Sequence, residues 1–141
     1  MILYFSGTGN SAYVARQLGE LLQQETIDVF ARIRDKDTTA LQSSRPWIVV
    51  CPTYAWRIPR ILHQWLENTA LEGCHSIYFV MTCGDNIGNA EKTLKTLCIS
   101  KHMDFCGCYP IVMPENYIAL FTTPTKEEAL VLLRRAEGKI A

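Results

Sequence analysis

In the segment Tyr4-Phe5-Ser6-Gly7-Thr8-Gly9-Asn10-Ser11, an apolar run gives way to glycines and hydroxyls. The run begins earlier, at Ile2-Leu3-Tyr4-Phe5, and predicts a short buried strand. After Ser11 the apolar positions are Ala12, Ala15, Leu18 and Leu22, with Val14 and Leu21 beside them. That is helical spacing and predicts an amphipathic helix from Ser11 to about Gln24. The segment is therefore a strand-to-helix turn. Gly7 and Gly9 let it be tight and let backbone N–H groups face inward. Ser6, Thr8 and Ser11 supply hydroxyls and Asn10 an amide. The helix that follows adds N–H groups without intrahelical partners and a partial positive charge. Together these make a socket for a phosphate dianion that needs no Lys or Arg. The simpler reading is a plain turn in which Ser11 caps the helix, although so many hydrogen-bonding side chains exceed what a cap requires. No Gly-Lys-Ser/Thr follows, so the turn is not a Walker A loop. Ala12 stands where G-x-G-x-x-G would have its third glycine, and because some dinucleotide fingerprints tolerate Ala there, that reading stays open.

The same rhythm of strand, loop and helix continues. Thr26 to Ile33 alternates, with Ile27, Val29, Ala31 and Ile33 against Asp28 and Arg32, and predicts an edge strand with one wetter face. Residues 34–46 are polar and predicted to be irregular. Trp47-Ile48-Val49-Val50-Cys51 is a central strand stopped by Pro52. Pro59 opens a helix whose apolar face is Ile58, Ile61, Leu62, Trp65 and Leu66. Ile77 to Met81 is a third buried strand, and Ala90, Leu94, Leu97 and Cys98 mark the helix after it. Phe105 to Met113 is a strand interrupted by Gly107 and Pro110. Pro114 to Pro124 shows no pattern and reads as a long loop. Thr125-Lys126-Glu127-Glu128 is a capping box opening a last helix, with Ala129, Leu130, Leu133 and Ala136 as its buried stripe. Strands buried on both faces and separated by helices imply a parallel sheet covered by helices, with right-handed crossovers.

Composition limits the function classes. The 141 residues carry 14 basic and 14 acidic side chains, so no general basic footprint for nucleic acid exists. Length suits one domain spanning residues 1–141. Met1 to Phe5 lacks the basic start of a signal peptide, and no apolar stretch approaches the ~18 residues of a membrane span. The expectation is a soluble, cytoplasmic protein that does not engage a membrane. Cys51, Cys74, Cys83, Cys98, Cys106 and Cys108 include no C-x-x-C pair and mostly fall in or beside apolar runs, so they read as reduced, mostly buried thiols. His63, His75 and His102 accompany no nucleophile constellation. Phe5-Ser6 offers no paired acids after the first strand, and no Cys-x5-Arg loop occurs, so two other activities hosted by such folds are unsupported.

The run Tyr4 to Ser11 resembles the FMN phosphate loop of flavodoxins. Pro52-Thr53-Tyr54, Thr82-Cys83-Gly84 and Met113-Pro114-Glu115-Asn116-Tyr117 are similar to the flavodoxin-like domain that anaerobic bacteria fuse to a ferredoxin, although no C-x-x-C-x-x-C-x-x-x-C-P repeat occurs here. The resemblance covers essentially the whole chain and matches the short-chain flavodoxin class. It implies an α/β flavodoxin-like three-layer sandwich whose five-stranded parallel sheet has the order 2-1-3-4-5, with FMN at its switch point. It implies that the hydroxyls of Ser6, Thr8 and Ser11, with the backbone of Gly7, Gly9 and Asn10, hold the phosphate.

The ring would then lie between the loops Pro52-Thr53-Tyr54-Ala55-Trp56-Arg57 and Thr82-Cys83-Gly84-Asp85-Asn86-Ile87-Gly88-Asn89. An isoalloxazine is flat and π-rich and needs aromatic faces, which Tyr54 and Trp56 offer. Trp56 packed under the next helix is the alternative. In the second loop, which opens Thr82-Cys83, the two glycines let backbone groups approach the ring's polar edge; Cys83 touches the ring or is an ordinary small apolar neighbour; and Asp85 and Asn86 reach ring or ribitol atoms, unless Asn86 or Asn89 is instead a helix cap. Tyr117 is a candidate cover. In flavodoxins a flexible glycine peptide after the third strand contacts the ring's N5; Ala55 stands at that place here. The function so implied is electron shuttling through non-covalent FMN, with ferredoxin-like proteins or reductases as partners. An FMN-dependent reductase of a small acceptor such as a quinone, and a flavin-free interaction module, are the alternatives.

Overall fold

The computed structural model describes residues 1–114 and 125–141. The strands of the main sheet are β1 (Ile2–Tyr4), β2 (Thr26–Asp28), β4 (Trp47–Pro52), β6 (Ser76–Cys83) and β7 (Asp104–Val112). They pair in parallel in the order β2-β1-β4-β6-β7. Numbered within this sheet alone, that is the expected 2-1-3-4-5. Strands β3 (Leu41–Ser43) and β5 (Leu71–Gly73) form a separate parallel pair. The helices are α1 (Asn10–Leu22), α2 (Val29–Arg34), α3 (Arg60–Asn68), α4 (Ala90–Ser100) and α5 (Lys126–Ile140).

Alternation along each strand sends side chains to two core layers. Leu3, Phe5, Trp47, Val49, Phe79 and Met81 point to one face, where Val29, Leu62, Trp65, Leu66 and Leu94 cover them. Ile2, Val50, Val80 and Ile111 point to the other, under Val14, Ala15 and Ala136. The result is three layers, with α1 and α5 on one side and α2, α3 and α4 on the other. No helix among the described residues is long and apolar enough to cross a membrane.

Four expectations need correction. The strand expected over Thr26 to Ile33 ends at Asp28, whose carboxylate caps α2 by accepting from the N–H of Phe30 at 2.9 Å and of Ala31 at 3.4 Å. Val29 and Ile33 are four apart, so the alternation serves a helix equally well. The polar stretch 34–46 is not wholly irregular, because β3 pairs with β5. The last strand is not interrupted: β7 runs through Gly107 and Pro110 and absorbs Cys106 as a register shift opposite Ile77 and Tyr78. Finally, α5 opens with the expected capping box, but its stripe reaches the core only late, at Leu133, Ala136 and Ile140, and Leu130 is exposed. Ile61 of α3 and Leu21 and Leu22 of α1 are exposed as well.

All six cysteines lie among the described residues, and none is in a disulfide. Cys51, Cys83 and Cys98 are buried, Cys74 and Cys108 half-buried, and Cys106 is exposed. Burial pushes the thiols of Cys98 and Cys108 up to about 11, so both stay protonated at neutral pH.

Candidate functional site

In a sheet of this order the chain leaves β1 toward β2 and then crosses back to β4. The crevice outside the carboxyl ends of β1 and β4 is the topological switch point, where ligands bind in open α/β sheets. The turn Phe5 to Gly9 sits there, and so do the loops after β4 and β6.

The turn after β1 is built as a cradle. Gly7, Thr8 and Gly9 are exposed, Ser6 and Asn10 half-buried. Gly9 has φ 106° and is the residue preceding α1, a left-handed position that favours glycine. Among the described residues no side chain caps α1, and its first turn carries no acidic residue. The N-terminal amides are thus left to an external acceptor. Ser6 Oγ accepts from the N–H of Gly9 at 3.1 Å and sets the turn. The Asn10 side chain donates to the carbonyl of Pro114 at 3.1 Å, tying the turn to the segment after β7.

Ser11 is not the cap. Its hydroxyl is buried and shares a 2.8 Å hydrogen bond with Thr82 Oγ1 at the end of β6. Ser11→Ala leaves that threonine oxygen without its partner and is expected to cost about 1–3 kcal/mol of stability. Urea unfolding should show the loss, and adding Thr82→Val should recover much of it.

The loop after β4 is a tight turn. Thr53 donates to the carbonyl of Thr82 from its N–H at 2.9 Å and from Oγ1 at 3.0 Å, which fixes the loop to β6. Tyr54 and Arg57 then bond reciprocally, N–H to carbonyl, at 2.8 and 3.2 Å. Between them Ala55 and Trp56 have φ 49° and 57°. Two positive φ values in a two-residue connection are the signature of a type I′ turn, which Asn-Gly normally fills. The geometry throws both aromatics outward: Tyr54 is 50% exposed and Trp56 65% exposed. The alternative, Trp56 packed under the next helix, is therefore not what the structure shows.

Both aromatics reach the neighbouring loops. A Cβ on Gly7 would meet the Tyr54 hydroxyl at 3.4 Å, so Tyr54 lies against the cradle. Trp56 lies against Gly88: a Cβ there would come within 2.3 Å of the indole Cδ1. Gly88, at φ 55°, seats the indole, a contact that sequence reasoning missed; the signal was the second glycine of its loop. In that loop Asn86 accepts from the N–H of Gly88 at 3.0 Å and donates to Asp85 at 2.9 Å. Asn89 precedes α4 but makes no side-chain cap. Gly84, Asp85 and Asn86 are exposed, whereas Pro52 is half-buried and Thr82 and Cys83 are buried. The Cys83 thiol donates toward the carbonyl of Ile111 at 3.8 Å, inside the sheet layer. Tyr117 lies outside the described residues.

No family model matches the chain, and no curated protein matches it in sequence. Solved structures do match it in shape. The Trp repressor binding protein from Bacillus subtilis superposes with a TM-score of 0.57 at 16% identity, over 99% of this chain and 94% of that one. An FMN-dependent NADH-azoreductase from Bacillus anthracis, in complex with FMN, gives 0.50 at 11% identity, over 99% and 95%. Two-electron reduced Megasphaera elsdenii flavodoxin gives 0.50 at 14% identity, over 99% of both chains. The fold is flavodoxin-like. At these identities the likeness is one of backbone architecture, and the flavodoxin-like sheet is what brings together three loops that are distant in sequence.

Proposed function

We propose that this protein binds FMN non-covalently and transfers electrons through it. The observation that carries the proposal is the uncapped, carboxylate-free start of α1 behind the exposed Gly7-Thr8-Gly9 turn, with Tyr54 against that turn. A phosphate dianion suits this cradle, because backbone dipoles and hydroxyls complement it without a fixed counter-charge. Ser6 shapes the turn by accepting from the Gly9 N–H, Thr8 adds its hydroxyl to the cradle, and Asn10 brings its N–H to the anion. Ser11 acts indirectly, by anchoring the first turn of α1 to Thr82. Tyr54 and Trp56 offer faces to a flat ring, and Gly84, Asp85 and Asn86 face it from the opposite loop. Bound FMN would supply one- and two-electron redox chemistry. The residues orient the ring and exclude water from one side of it. The shared fold with an FMN-dependent azoreductase and a flavodoxin supports the choice of cofactor. As working extensions of the same proposal, the protein acts in the cytoplasm and exchanges electrons with ferredoxin-like proteins or reductases.

Titration with FMN, followed by quenching of flavin fluorescence, tests the proposal. Saturable one-to-one binding is expected. Thr8→Leu places a bulky apolar group in the cradle and should weaken FMN binding by at least 100-fold while leaving the far-ultraviolet circular dichroism unchanged. Failure of the wild-type chain to take up FMN, or unchanged affinity in the variant, would overturn the assignment.

A further inference from the structure

We infer that a second ligand site lies beside the FMN cradle, in an open cavity that takes an aromatic molecule bearing a phosphate. The cavity has a volume of about 760 Å³, within the range of small-molecule sites. Its lining comes from the 54–57 turn, the start of α3 and the first turn of α4, and from no residue of the phosphate cradle. The inference goes beyond the FMN proposal while sharing its 54–56 wall, and the experiment below separates the two.

Three cations line the cavity: Arg57 on the turn, Arg60 on α3 and Lys92 on α4. No carboxylate is among the described residues that line it. The ion pairs among the described residues are Arg32–Asp37, Arg34–Asp35, His63–Glu67 and Lys95–Glu91, and they use none of these three cations. Glu91, the one acid in the first turn of α4, is held by Lys95 at 2.8 Å. In a chain of zero net charge, three cations around one cavity are a local excess that a polyanion relieves. Two guanidinium forks also match the geometry of phosphate oxygens.

The rest of the lining argues against inorganic phosphate alone. The indole of Trp56 is exposed and fixed against Gly88, and Ile61 is a large apolar side chain left in contact with water. A flat ring covers these surfaces while its phosphate reaches the cations. The two anion sites thus differ in kind. The cradle after β1 holds its anion with backbone dipoles, and the cavity does so with side-chain charge. Tyr54, Ala55 and Trp56 border the cavity, so its ligand abuts the proposed ring site.

The test uses ADP as probe, with adenosine and inorganic pyrophosphate as its ring-only and phosphate-only parts. Each is titrated calorimetrically into protein preloaded with FMN, and amide shifts are mapped by nuclear magnetic resonance. ADP should bind at least tenfold more tightly than either part and should shift amides at 54–61 and 89–93. Arg60→Gln combined with Lys92→Gln should weaken ADP at least tenfold and leave FMN affinity within twofold. Absence of ADP binding, equal affinity for pyrophosphate, or indifference to the double variant would overturn the inference. Repeating the ADP titration without FMN separates the two proposals. ADP shifts at 54–61 and 89–93 in a chain that refuses FMN sustain this inference and end the other; FMN uptake with no ADP response does the reverse.

Discussion

Gly88→Val is expected to abolish FMN uptake at micromolar concentration while leaving the sheet intact. Gly88 sits at φ 55°, where a β-branched residue is strongly disfavoured. Its added Cβ would lie 2.3 Å from Trp56 Cδ1, 2.7 Å from Cγ and 2.9 Å from Cβ. The last contact is close to the main chain, so rotating the indole does not relieve it; the turn itself must move. That turn is pinned to β6 through Thr53 and closed by the Tyr54–Arg57 pair, so moving it disturbs both aromatics. A loss of at least 100-fold in FMN affinity should appear in the fluorescence titration. The melting temperature should fall by no more than a few degrees, because Trp56 contributes little to the core. Affinity within threefold of wild type would show that the Trp56–Gly88 contact does not shape the site.

The largest stability effect is expected at Trp47. This residue opens β4, is fully buried, and donates from Nε1 to the carbonyl of Cys74 at 2.8 Å. Trp47→Ala removes its packing against the layer formed with Phe79, Leu62 and Leu66, and leaves the Cys74 carbonyl without that donor. A buried tryptophan truncated to alanine costs about 3–5 kcal/mol, against a total of about 5–15 kcal/mol for a typical domain. Equilibrium urea unfolding measures this directly. Trp56→Ala is the control: the same truncation at an exposed position should cost less than about 1 kcal/mol. Equal losses at the two tryptophans would contradict the placement of both.

The main sheet was legible because β4 and β6 are buried on both faces and read as continuous apolar runs. The pair β3 and β5 was not legible: three residues carry too little periodicity, and the pairing joins Leu41 to Leu71 across α3. The extent of the second strand is not legible in the sequence, because Ile27, Val29, Ala31 and Ile33 fit two periods. Only the capping carboxylate of Asp28 separates them. At the site, the cradle was visible as a local pattern. The use of Ser11 was hidden, since its partner Thr82 lies 71 residues away. The cationic cavity was hidden for the same reason. Arg57 and Arg60 look like ordinary surface charges until the crossover through β6 delivers Lys92 beside them.

The left-handed pair at Ala55 and Trp56 puts a ceiling on how stable this protein becomes. Each such residue forfeits roughly 1–2 kcal/mol relative to a relaxed conformation. An Asn-Gly dipeptide would lift that burden, yet it would also delete the indole that walls both proposed sites. Thermal robustness and ligand capture therefore pull in opposite directions at this one bend, and engineering for heat tolerance should begin elsewhere in the chain.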